Sequence, residues 1–419
     1  GVVSGTTVSG TVRVYLSSIS SLTAVDLTIA GSYSVGGDAN RALARGQNVR
    51  VSNSGGVLSM TVNGQTQTMG SRFKLRRHQT TGENGVRIAQ ARYPASLYPG
   101  DIEFIAKGGN VQIVVHVYME DYMLGVLPYE MDNSFPLEAL KAQAVCARTY
   151  AYRQIKANAY SRYGAHVDDS TNYQVYNNTE SSERTNLAVK ETDGKIVYYN
   201  DTPAETYYFS TSCGYSTDGT IWGASKDEVP YLKGIGLTEK KKIPDLTDND
   251  TFLKFIQGQG EQNYDSSFPM YRWKTTITNK KLQQKVDTIG EIQGIFVTSR
   301  GKGGIAQTVQ IVGSEGAKTL KGQSQIRSVL GSESLVYKKN DGTELTGWST
   351  LPSAFFSVDE TARDEEKDIR TFTIWGGGYG HGVGMSQNGA QEMAREGKNY
   401  EEILMFFYDG VEIRDCEED

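Results

Sequence analysis

The sequence predicts an α+β fold in which a β-rich N-terminal region precedes a mixed α/β core built around a buried helix. Three observations indicate this: short alternating segments early in the chain, a long helical repeat near its middle, and two capped helical patterns at its end. A length of 419 residues suggests two or three domains, at roughly one per 100–200 residues. We divide the chain into segments 1–115, 116–235, 236–370 and 371–419.

The first segment, residues 1–115, is predicted to consist mainly of short strands. Apolar and polar residues alternate in several stretches, and Gly, Ser and Asn interrupt them, which is typical of half-buried strands joined by turns. The stretches are "TVRVYLSS", "AVDLTIAGSYSV", "NVRVSN" and "VLSMTVNG".

A helix is predicted in the stretch "SFPLEALKAQAVCARTYAYRQI". Ser134 is its candidate N-cap, and Pro136 lies in the first turn, where a missing N–H costs nothing. Apolar or small residues recur on two faces, which indicates a helix buried on both sides. One face carries Leu137, Leu140, Ala144, Ala147 and Ala151, and the other carries Ala139, Ala142 and Cys146.

Further along, "KIVYYN" and "AETYYFSTSCGYSTDGTIWG" are predicted to be strands joined by a polar turn. Segment 236–370 is predicted to be an inserted α+β subdomain, with strands "YRWKTTIT", "IQGIFVTSR" and "AQTVQIVG" and a helix in "NKKLQQKV". The last segment carries two helices. Ser386 caps the first, Gly397 ends it, and Asn399 with Glu402 forms a capping box for the second.

Composition excludes several functional classes. The net charge of −6 and the lack of a long basic run argue against nucleic-acid binding. The longest apolar run, "VQIVVHVYM", is shorter than the about 20 residues that a membrane span needs. Three scattered cysteines without a C-x-x-C pair exclude a zinc ribbon or a thioredoxin motif. Because the first residue is Gly, we expect an exported or membrane-anchored protein whose N-terminal signal or anchor is absent here.

The glycine-rich stretch "WGGGYGHGVG" is the first candidate for chemistry. Glycine tolerates positive φ and lets a ligand approach the backbone. Six glycines around His381 would leave the imidazole uncrowded among backbone N–H groups, as a polar substrate requires. The alternative is a tight turn before a helix, with His381 filling a gap. Nucleotide binding is excluded, because neither a G-K-[ST] sequence nor Rossmann spacing is present.

Glu130 is the second candidate. Leu127, Pro128, Tyr129 and Met131 surround it in sequence, so its carboxyl would lose hydration and its pKa would rise. A general acid needs this property. The alternative is an ordinary glutamate whose carboxylate points into water.

Cysteine chemistry is disfavoured by the sequence. Cys146 lies inside the predicted buried helix, where nothing would lower its pKa for attack with His381. A zinc site from Cys146, Cys213 and either His166 or His381 lacks a recognisable ligand spacing.

Two long stretches, "EDYMLGVLPYEMDNSFPLEALKAQAVCARTYAY" and "GYGHGVGMSQNGAQEMAREGKNYEEILMFFYDGVEI", closely resemble the signature segments of the stage II sporulation protein D family. That family includes the enhancer proteins of cell-wall amidases. Between them, "YQVY" and "STSCGYST" match two further family segments in the same order. The resemblance covers most of the chain and is weakest in segment 236–370.

The resemblance implies a lytic transglycosylase without a cofactor, which cleaves MurNAc–GlcNAc linkages of peptidoglycan strands already stripped of stem peptides. It places the catalytic acid at Glu130, and the sugar's own C6 hydroxyl would close onto C1 to give a 1,6-anhydro product. One carboxyl then suffices, unlike in two-carboxylate hydrolases. Asp132 and Glu138 lie too close in sequence to act as a second carboxylate. The alternative function is a non-catalytic wall-binding protein that recruits or stimulates an N-acetylmuramoyl-L-alanine amidase.

The resemblance also implies a glycan-binding cleft, with the glycine loop opposite Glu130 and open enough for a polymer to thread past. His381 and Gln387 would hydrogen-bond sugar hydroxyls or N-acetyl groups. Further groove residues would be Gln174, Tyr176, Ser210, Ser212 and Ser386.

Three positions depart from the family pattern. Phe209 stands where a histidine is common, and because some members bind zinc nearby, its presence argues against a metal here. Asn388 replaces a common tryptophan, which weakens sugar stacking at that point. Tyr129 replaces a small residue beside Glu130.

The expected partners are peptidoglycan glycan strands, with a cell-wall amidase and membrane-anchored sporulation proteins as further candidates and no nucleic acid. The expected location is extracytoplasmic, in the cell wall or the intermembrane space of a sporulating cell.

Overall fold

The computed structural model describes residues 10–79, 82–176 and 182–417. The protein is a mixed α+β structure with 25% helix and 34% strand in several sheets, and its N-terminal region is β-rich, as predicted. The chain divides into two compact units. Unit 1 comprises Gly1–Glu205 and Glu412–Asp419, and unit 2 comprises Thr206–Val411. The predicted four-segment division stays a prediction.

Strands dominate the first part of unit 1. They are β1 Thr11–Tyr15, β2 Ala24–Ala30, β3 Tyr33–Val35, β4 Ala42–Leu43, β5 Asn48–Ser54, β6 Val57–Val62, β7 Gln65–Gly70, β8 Arg72–Arg77, β9 Gly85–Ile88, β10 Asp101–Lys107, β11 Asn110–Tyr118 and β12 Val167–Asp168. Two sheets result, with strand orders β12-β1-β11-β10-β8-β3-β4 and β7-β6-β5-β2-β9. The four predicted stretches all form strands here, so those predictions are confirmed.

Alternating side chains set the register of these sheets. Strand β1 runs antiparallel to β11, with Val12 opposite Val117 and Val14 opposite Val115. All four valines are fully buried. Because side chains alternate between the faces of a strand, a slip of one residue would expose this apolar set, so the pairing is strongly specified.

Three helices follow in unit 1: α1 (Met119–Glu130), α2 (Leu137–Ala157) and α3 (Glu183–Glu191). Helix α2 is buried on both predicted faces, except that Leu137 is partly exposed. The predicted cap is wrong, because α2 begins at Leu137 with Pro136 in the N-cap position and no side-chain cap. Ser134 lies in the preceding turn, where its N–H donates to Asp132.

The last sheet of unit 1 contains β13 (Lys195–Tyr199) and β14 (Thr202–Pro203), together with β25 (Glu412–Asp415). The order is β14-β13-β25. Strand β25 pairs with β13 from Lys195 opposite Asp415 to Tyr198 opposite Glu412. The chain therefore leaves unit 1, forms unit 2, and returns to complete this sheet.

Unit 2 contains three sheets and five helices within the described residues. Its strands are β15 Tyr208–Phe209, β16 Trp273–Thr278, β17 Ile292–Arg300, β18 Ala306–Gly313, β19 Gly316–Lys321, β20 Tyr337–Lys339, β21 Glu344–Leu345, β22 Phe356–Asp364, β23 Ile369–Gly376 and β24 Met385–Ser386. Its helices are α4 Asn249–Gln257, α5 Asn279–Gln283, α6 Gln323–Leu330, α7 Gln387–Arg395 and α8 Tyr400–Phe407.

The sheets of unit 2 have the orders β21-β20-β16-β23-β22, β17-β18-β19 and β15-β24. The predicted strands and the helix in segment 236–370 are confirmed as β16, β17, β18 and α5. The strand predicted across "AETYYFSTSCGYSTDGTIWG" is mostly wrong, because only the two-residue strand β15 forms there, followed by irregular backbone and a short 3₁₀ helix at Gly219–Trp222.

The predicted helix boundaries near the C-terminus are confirmed. Ser386 caps α7 and accepts the N–H of Gly389, and Gly397 follows α7 with a φ of 91°. Asn399 and Glu402 form the predicted capping box of α8. No helix within residues 10–79, 82–176 and 182–417 is long and apolar enough to cross a membrane.

Candidate functional sites

Glu130 is the last residue of α1, a helix that the sequence analysis did not predict. Most of α1 is buried, whereas Glu130 is partly exposed and Tyr129 is 48% exposed. Pro128 occupies the last turn, and Met131 leaves the helix in an extended conformation. The carboxyl thus lies where a buried helix reaches the surface of unit 1.

A buried ion pair fixes helix α1 against α2. Arg148 donates from Nε to Glu120 Oε1 at 2.7 Å and from Nη2 to Glu120 Oε2 at 2.9 Å, and both side chains are fully buried. Arg148 Nη1 also donates to the carbonyl oxygen of Lys195 at 3.0 Å. Bidentate pairs of this kind are strong and geometrically specific. They define the direction of α1, and therefore the position of Glu130.

A second buried pair lies at the start of α1. Arg77 Nη2 is 3.2 Å from Asp121 Oδ2, and both side chains are almost fully buried. Burial raises the pKa of Asp121 to about 7, although the Arg77 guanidinium acts in the opposite direction. Glu120 and Asp121 both lie in the first turn of α1, where the helix dipole favours negative charge.

Gln174 and Tyr176 lie inside unit 1, beneath α1. Gln174 accepts from the hydroxyl of Tyr122 at 3.1 Å and donates to the carbonyl oxygen of Ala147 at 2.9 Å. The Tyr176 ring is fully buried 5.0 Å from the Tyr122 ring. Burial raises the pKa of Tyr122, and the charge of Glu130 acts in the same direction. These contacts support a positioning role, and direct contact of Gln174 or Tyr176 with sugar stays a prediction.

The glycine loop of unit 2 is packed closely against the protein itself. A Cβ atom on Gly384, whose φ is 80°, would lie 2.0 Å from the carbonyl oxygen of Tyr207. On Gly380, with a φ of 109°, it would lie 2.8 Å from Cβ of Phe209. Atoms of residues 207 and 209 therefore occupy the space beside these two glycines, and the expectation that the loop leaves room for a polymer stays a prediction.

His381 is surrounded by aromatic rings rather than left uncrowded. Ring centroids of Trp222, Phe209 and Tyr207 lie 5.1, 5.8 and 6.0 Å from the imidazole. The N–H of Val383 donates to Nδ1 at 3.0 Å, and the ring also hydrogen-bonds the Tyr208 backbone. Burial lowers the pKa of His381 to about 4. These contacts favour a neutral ring that positions the loop, and its predicted contact with sugar stays a prediction.

A buried aspartate that the sequence analysis missed joins two of the matching motifs. Asp265 accepts the N–H of Ser212 at 2.8 Å and the hydroxyl of Ser386 at 2.9 Å, both through Oδ2. Burial raises the pKa of Asp265 to about 6, and the bonds from Ser212 and Ser386 partly oppose this. Ser212 and Ser386 are buried, and through Asp265 they hold residues 210–214 beside the start of α7, whereas their contact with sugar stays a prediction.

Two predicted groove residues lie nearer the surface. Ser210 is partly exposed, and its carbonyl oxygen accepts the N–H of Asn388 at 3.0 Å. Gln387 is the first residue of α7 and is also partly exposed. Their contact with a ligand stays a prediction.

The residues around Phe209 do not fit a zinc ion. Phe209 is buried against His381, and burial raises the pKa of the Cys213 thiol to about 11. Across residues 10–79, 82–176 and 182–417, no group of three His, Cys, Asp or Glu side chains is arranged to hold a metal.

Comparison with known proteins gives two family matches. The model described as "Stage II sporulation protein" matches residues 107–199, which include α1, Glu130 and α2. A second model, described as a domain of unknown function (DUF8618), matches residues 217–384 within unit 2.

Three curated relatives align over most of the chain. Stage II sporulation protein D of Bacillus subtilis strain 168 is 32% identical over 322 residues, which is 73% of this chain and 77% of the relative. The Bacillus amyloliquefaciens protein of that name is 32% identical over 320 residues, covering 73% and 76%. The "Amidase enhancer" of Bacillus subtilis strain 168 is 29% identical over 305 residues, covering 69% and 40%.

The fold and the motif regions define a two-unit α+β protein with a glutamate at the end of a buried helix and a closely packed glycine loop. The chain belongs to the stage II sporulation protein D family, as its resemblance to the signature segments predicted.

Proposed function

We propose that this protein is a lytic transglycosylase that cleaves MurNAc–GlcNAc linkages of stem-peptide-free peptidoglycan strands to 1,6-anhydro products. The observation that carries the proposal is the position of Glu130. It is a partly exposed carboxyl at the end of a helix that is otherwise mostly buried, inside the region that matches the family model. The reaction would serve sporulation or remodelling of the cell wall.

The position of Glu130 suits a general acid. The C-terminus of a helix carries partial negative charge, which disfavours a carboxylate and favours its protonated form. The buried tyrosines beneath α1 provide a weakly polar surrounding on the protein side. In the proposed mechanism Glu130 is the group that donates a proton to the glycosidic oxygen.

The proposed reaction needs only one carboxyl. The Glu130 proton passes to the glycosidic oxygen as the bond between that oxygen and MurNAc C1 breaks. The oxygen of the C6 hydroxyl then forms a bond to C1, and its proton passes to the Glu130 carboxylate. Atoms and charge balance, and the acid is regenerated. Water takes no part, which distinguishes this reaction from hydrolysis by two carboxylates.

The proposal includes a glycan-binding cleft. In unit 2, His381, Gln387 and Ser210 are the candidates for contact with sugar, because each is partly exposed. Within unit 1, Gln174 and Tyr176 support α1, and within unit 2, Ser212 and Ser386 support the glycine loop, through the buried contacts described above.

The test is the Glu130→Gln variant, which keeps the shape of the side chain and removes the acid. General acid catalysis contributes about 10²–10⁴-fold, so release of anhydro products from denuded strands should fall by at least about 100-fold. Strand binding, measured by sedimentation, should survive. Glu138→Gln is the matched control, because Glu138 already pairs with Lys141 at 2.9 Å and should retain activity. Equal product from Glu130→Gln would remove the catalytic assignment.

A second candidate function is that of a non-catalytic enhancer of an amidase. Similarity to the protein named "Amidase enhancer" favours it. The same assay separates the two functions. If wild-type protein releases no anhydro product but increases turnover by an added cell-wall amidase, the enhancer function is correct. The amidase, membrane-anchored sporulation proteins and an extracytoplasmic location belong to both proposals.

A further inference from the structure

An open cavity of about 450 Å³ lies on unit 2, beside the strand that leads into the glycine loop. Strands β16, β20 and β23 and the end of α4 contribute to its wall. Eleven residues line it, among them Arg272, Lys274, Lys338, Lys339 and Trp375. Neither the family resemblance nor the proposed reaction assigns it a role.

The lining of this cavity is strongly positive. Four of its eleven residues are cations, and none is a carboxylate. This contrasts with the chain as a whole, whose net charge is −6. Some lysines elsewhere in unit 2 are paired with carboxylates, for example Lys280 with Asp368 at 3.2 Å. The positive charge is therefore a local feature of this cavity.

Two of the cations lie directly opposite each other in the sheet. Lys274 of β16 pairs in register with Lys338 of β20, and both side chains are exposed. Like charges at directly opposite positions of antiparallel strands destabilise the sheet. Glu344 of β21 lies opposite Lys338 on its other side and offsets part of this repulsion, and a bound anion would offset it further.

A third cation adds a fixed positive charge to the cavity. Arg272 is 93% buried, and its guanidinium donates to the carbonyl oxygens of Gly258 at 2.8 Å and Cys213 at 2.7 Å. Its Cζ atom lies 4.1 Å from the centre of the Tyr271 ring. Neutral carbonyls and an aromatic ring hold the group in place without cancelling its charge.

An aromatic ring lies next to the lysines. Trp375 is opposite Lys274 in the sheet and is partly exposed, with the Lys274 ammonium 6.0 Å from its ring centre. The flat apolar face of an aromatic ring packs against the apolar face of a sugar, and the neighbouring ammonium groups suit a carboxylate. A ring beside cations favours an anionic saccharide, which has both a sugar ring and a negative charge, over a polyanion without sugar rings.

We propose that this cavity is an accessory binding site for glycan strands that carry free carboxylates, with Lys274 and Lys338 contacting the carboxylate and Trp375 contacting the sugar. Removal of a stem peptide by hydrolysis leaves a lactyl carboxylate on N-acetylmuramic acid, so denuded strands supply this chemistry. The identity of the polymer rests on the proposed function, whereas the site does not involve Glu130.

The test measures binding of denuded strands in the Glu130→Gln background, so that strands remain intact. The double change Lys274→Gln and Lys338→Gln should weaken binding about tenfold, since each exposed ion pair contributes a modest share. It should also reduce the dependence of binding on salt concentration. Lys321→Gln, on the exposed edge strand β19, is the matched control and should bind normally. Arginine at both positions should restore binding.

A second arm uses strands whose lactyl carboxylates have been converted to methylamides. The protein with both lysines intact should then bind the blocked strands no better than the double variant does. Equal binding of blocked and unblocked strands would overturn the proposal, as would unchanged binding by the double variant. Stronger competition from polyglycerol phosphate than from denuded strands would show that the site serves a phosphate polymer. If Glu130 proved not to be catalytic, these binding results would be unaffected. Failure of the proposed reaction and failure of the proposed binding site are therefore distinguishable.

Discussion

The two units bury charge in different ways. In unit 1, the fully buried carboxylate of Glu120 is paired with the fully buried guanidinium of Arg148. In unit 2, the buried carboxyl of Asp265 has neutral donors, the N–H of Ser212 and the hydroxyl of Ser386. The charge of Glu120 is therefore offset by an opposite charge, whereas Asp265 has only neutral donors around its carboxyl. The first arrangement fixes a helix, and the second makes a motif junction sensitive to pH.

The distribution of tryptophan allows the two units to be followed separately. All four tryptophans, at positions 222, 273, 348 and 375, belong to unit 2. Tryptophan fluorescence therefore reports unfolding of unit 2, and far-ultraviolet circular dichroism reports both units. The comparison above can be tested with these two probes.

The largest expected effect comes from breaking the ion pair of unit 1. Arg148→Met leaves Glu120 buried without its partner, and removal of one member of such a pair costs about 3–5 kcal/mol. Denaturant titration followed by circular dichroism measures this loss. The double variant Glu120→Met with Arg148→Met should recover part of it, because no unpaired carboxylate remains. A single variant as stable as the wild type would contradict the assigned role of this pair.

A smaller and pH-dependent effect is expected at Asp265. Its pKa is raised from 3.8 to about 6 in the fold, so folding favours the protonated form. This contribution is complete below pH 4 and is lost as pH rises through 6, a change of about 3 kcal/mol in the free energy of unfolding.

Asp265→Asn removes the titrating group from this junction. Tryptophan fluorescence during denaturant titrations between pH 4 and pH 7 should then show a flatter pH profile than in the wild type. Asp245→Asn is the control, because Asp245 is an exposed turn residue whose pKa is lowered by bonds to Thr247. An unchanged pH profile in Asp265→Asn would contradict the burial argument.

The smallest effect concerns His381. Burial lowers its pKa to about 4, so the neutral ring is favoured in the fold. Its contribution to stability is present above pH 6.5 and is lost as pH falls towards 4. In NMR spectra, the His381 ring protons should not titrate between pH 5.5 and pH 8. A midpoint near 6.5 would show a solvated ring and would contradict the enclosed position described here.

Local signals in the sequence predicted much of the fold. Alternation placed the N-terminal strands, and Ser386 and Asn399 were recognisable as caps because a cap bonds to groups only a few residues away. Pro136 and Ser134 were misplaced by the same reasoning, since two plausible start signals lie close together. The prediction of a strand in residues 204–223 was wrong, because the alternation of polar and aromatic residues there does not reflect pairing in a sheet.

The candidate sites were harder to predict, because their contacts join distant parts of the chain. The local sequence did not mark Asp265 as a buried junction residue, because its partners Ser212 and Ser386 are 53 and 121 residues away along the chain. The glycines around His381 indicated a special backbone but not which atoms occupy the space beside them. Burial of Gln174 and Tyr176 likewise depends on α1 and α2 packing over them, which no local pattern reveals.

The return of the chain to unit 1 has a consequence for the order of folding. Strand β25 pairs with β13, yet it is synthesised only after the whole of unit 2. Because synthesis proceeds from the N-terminus, one edge of β13 stays uncovered until the whole of unit 2 has been synthesised. An uncovered edge invites pairing with another chain. Premature termination shortly before Glu412 should therefore yield a product that aggregates, even though it retains every residue of both motif regions up to Val411.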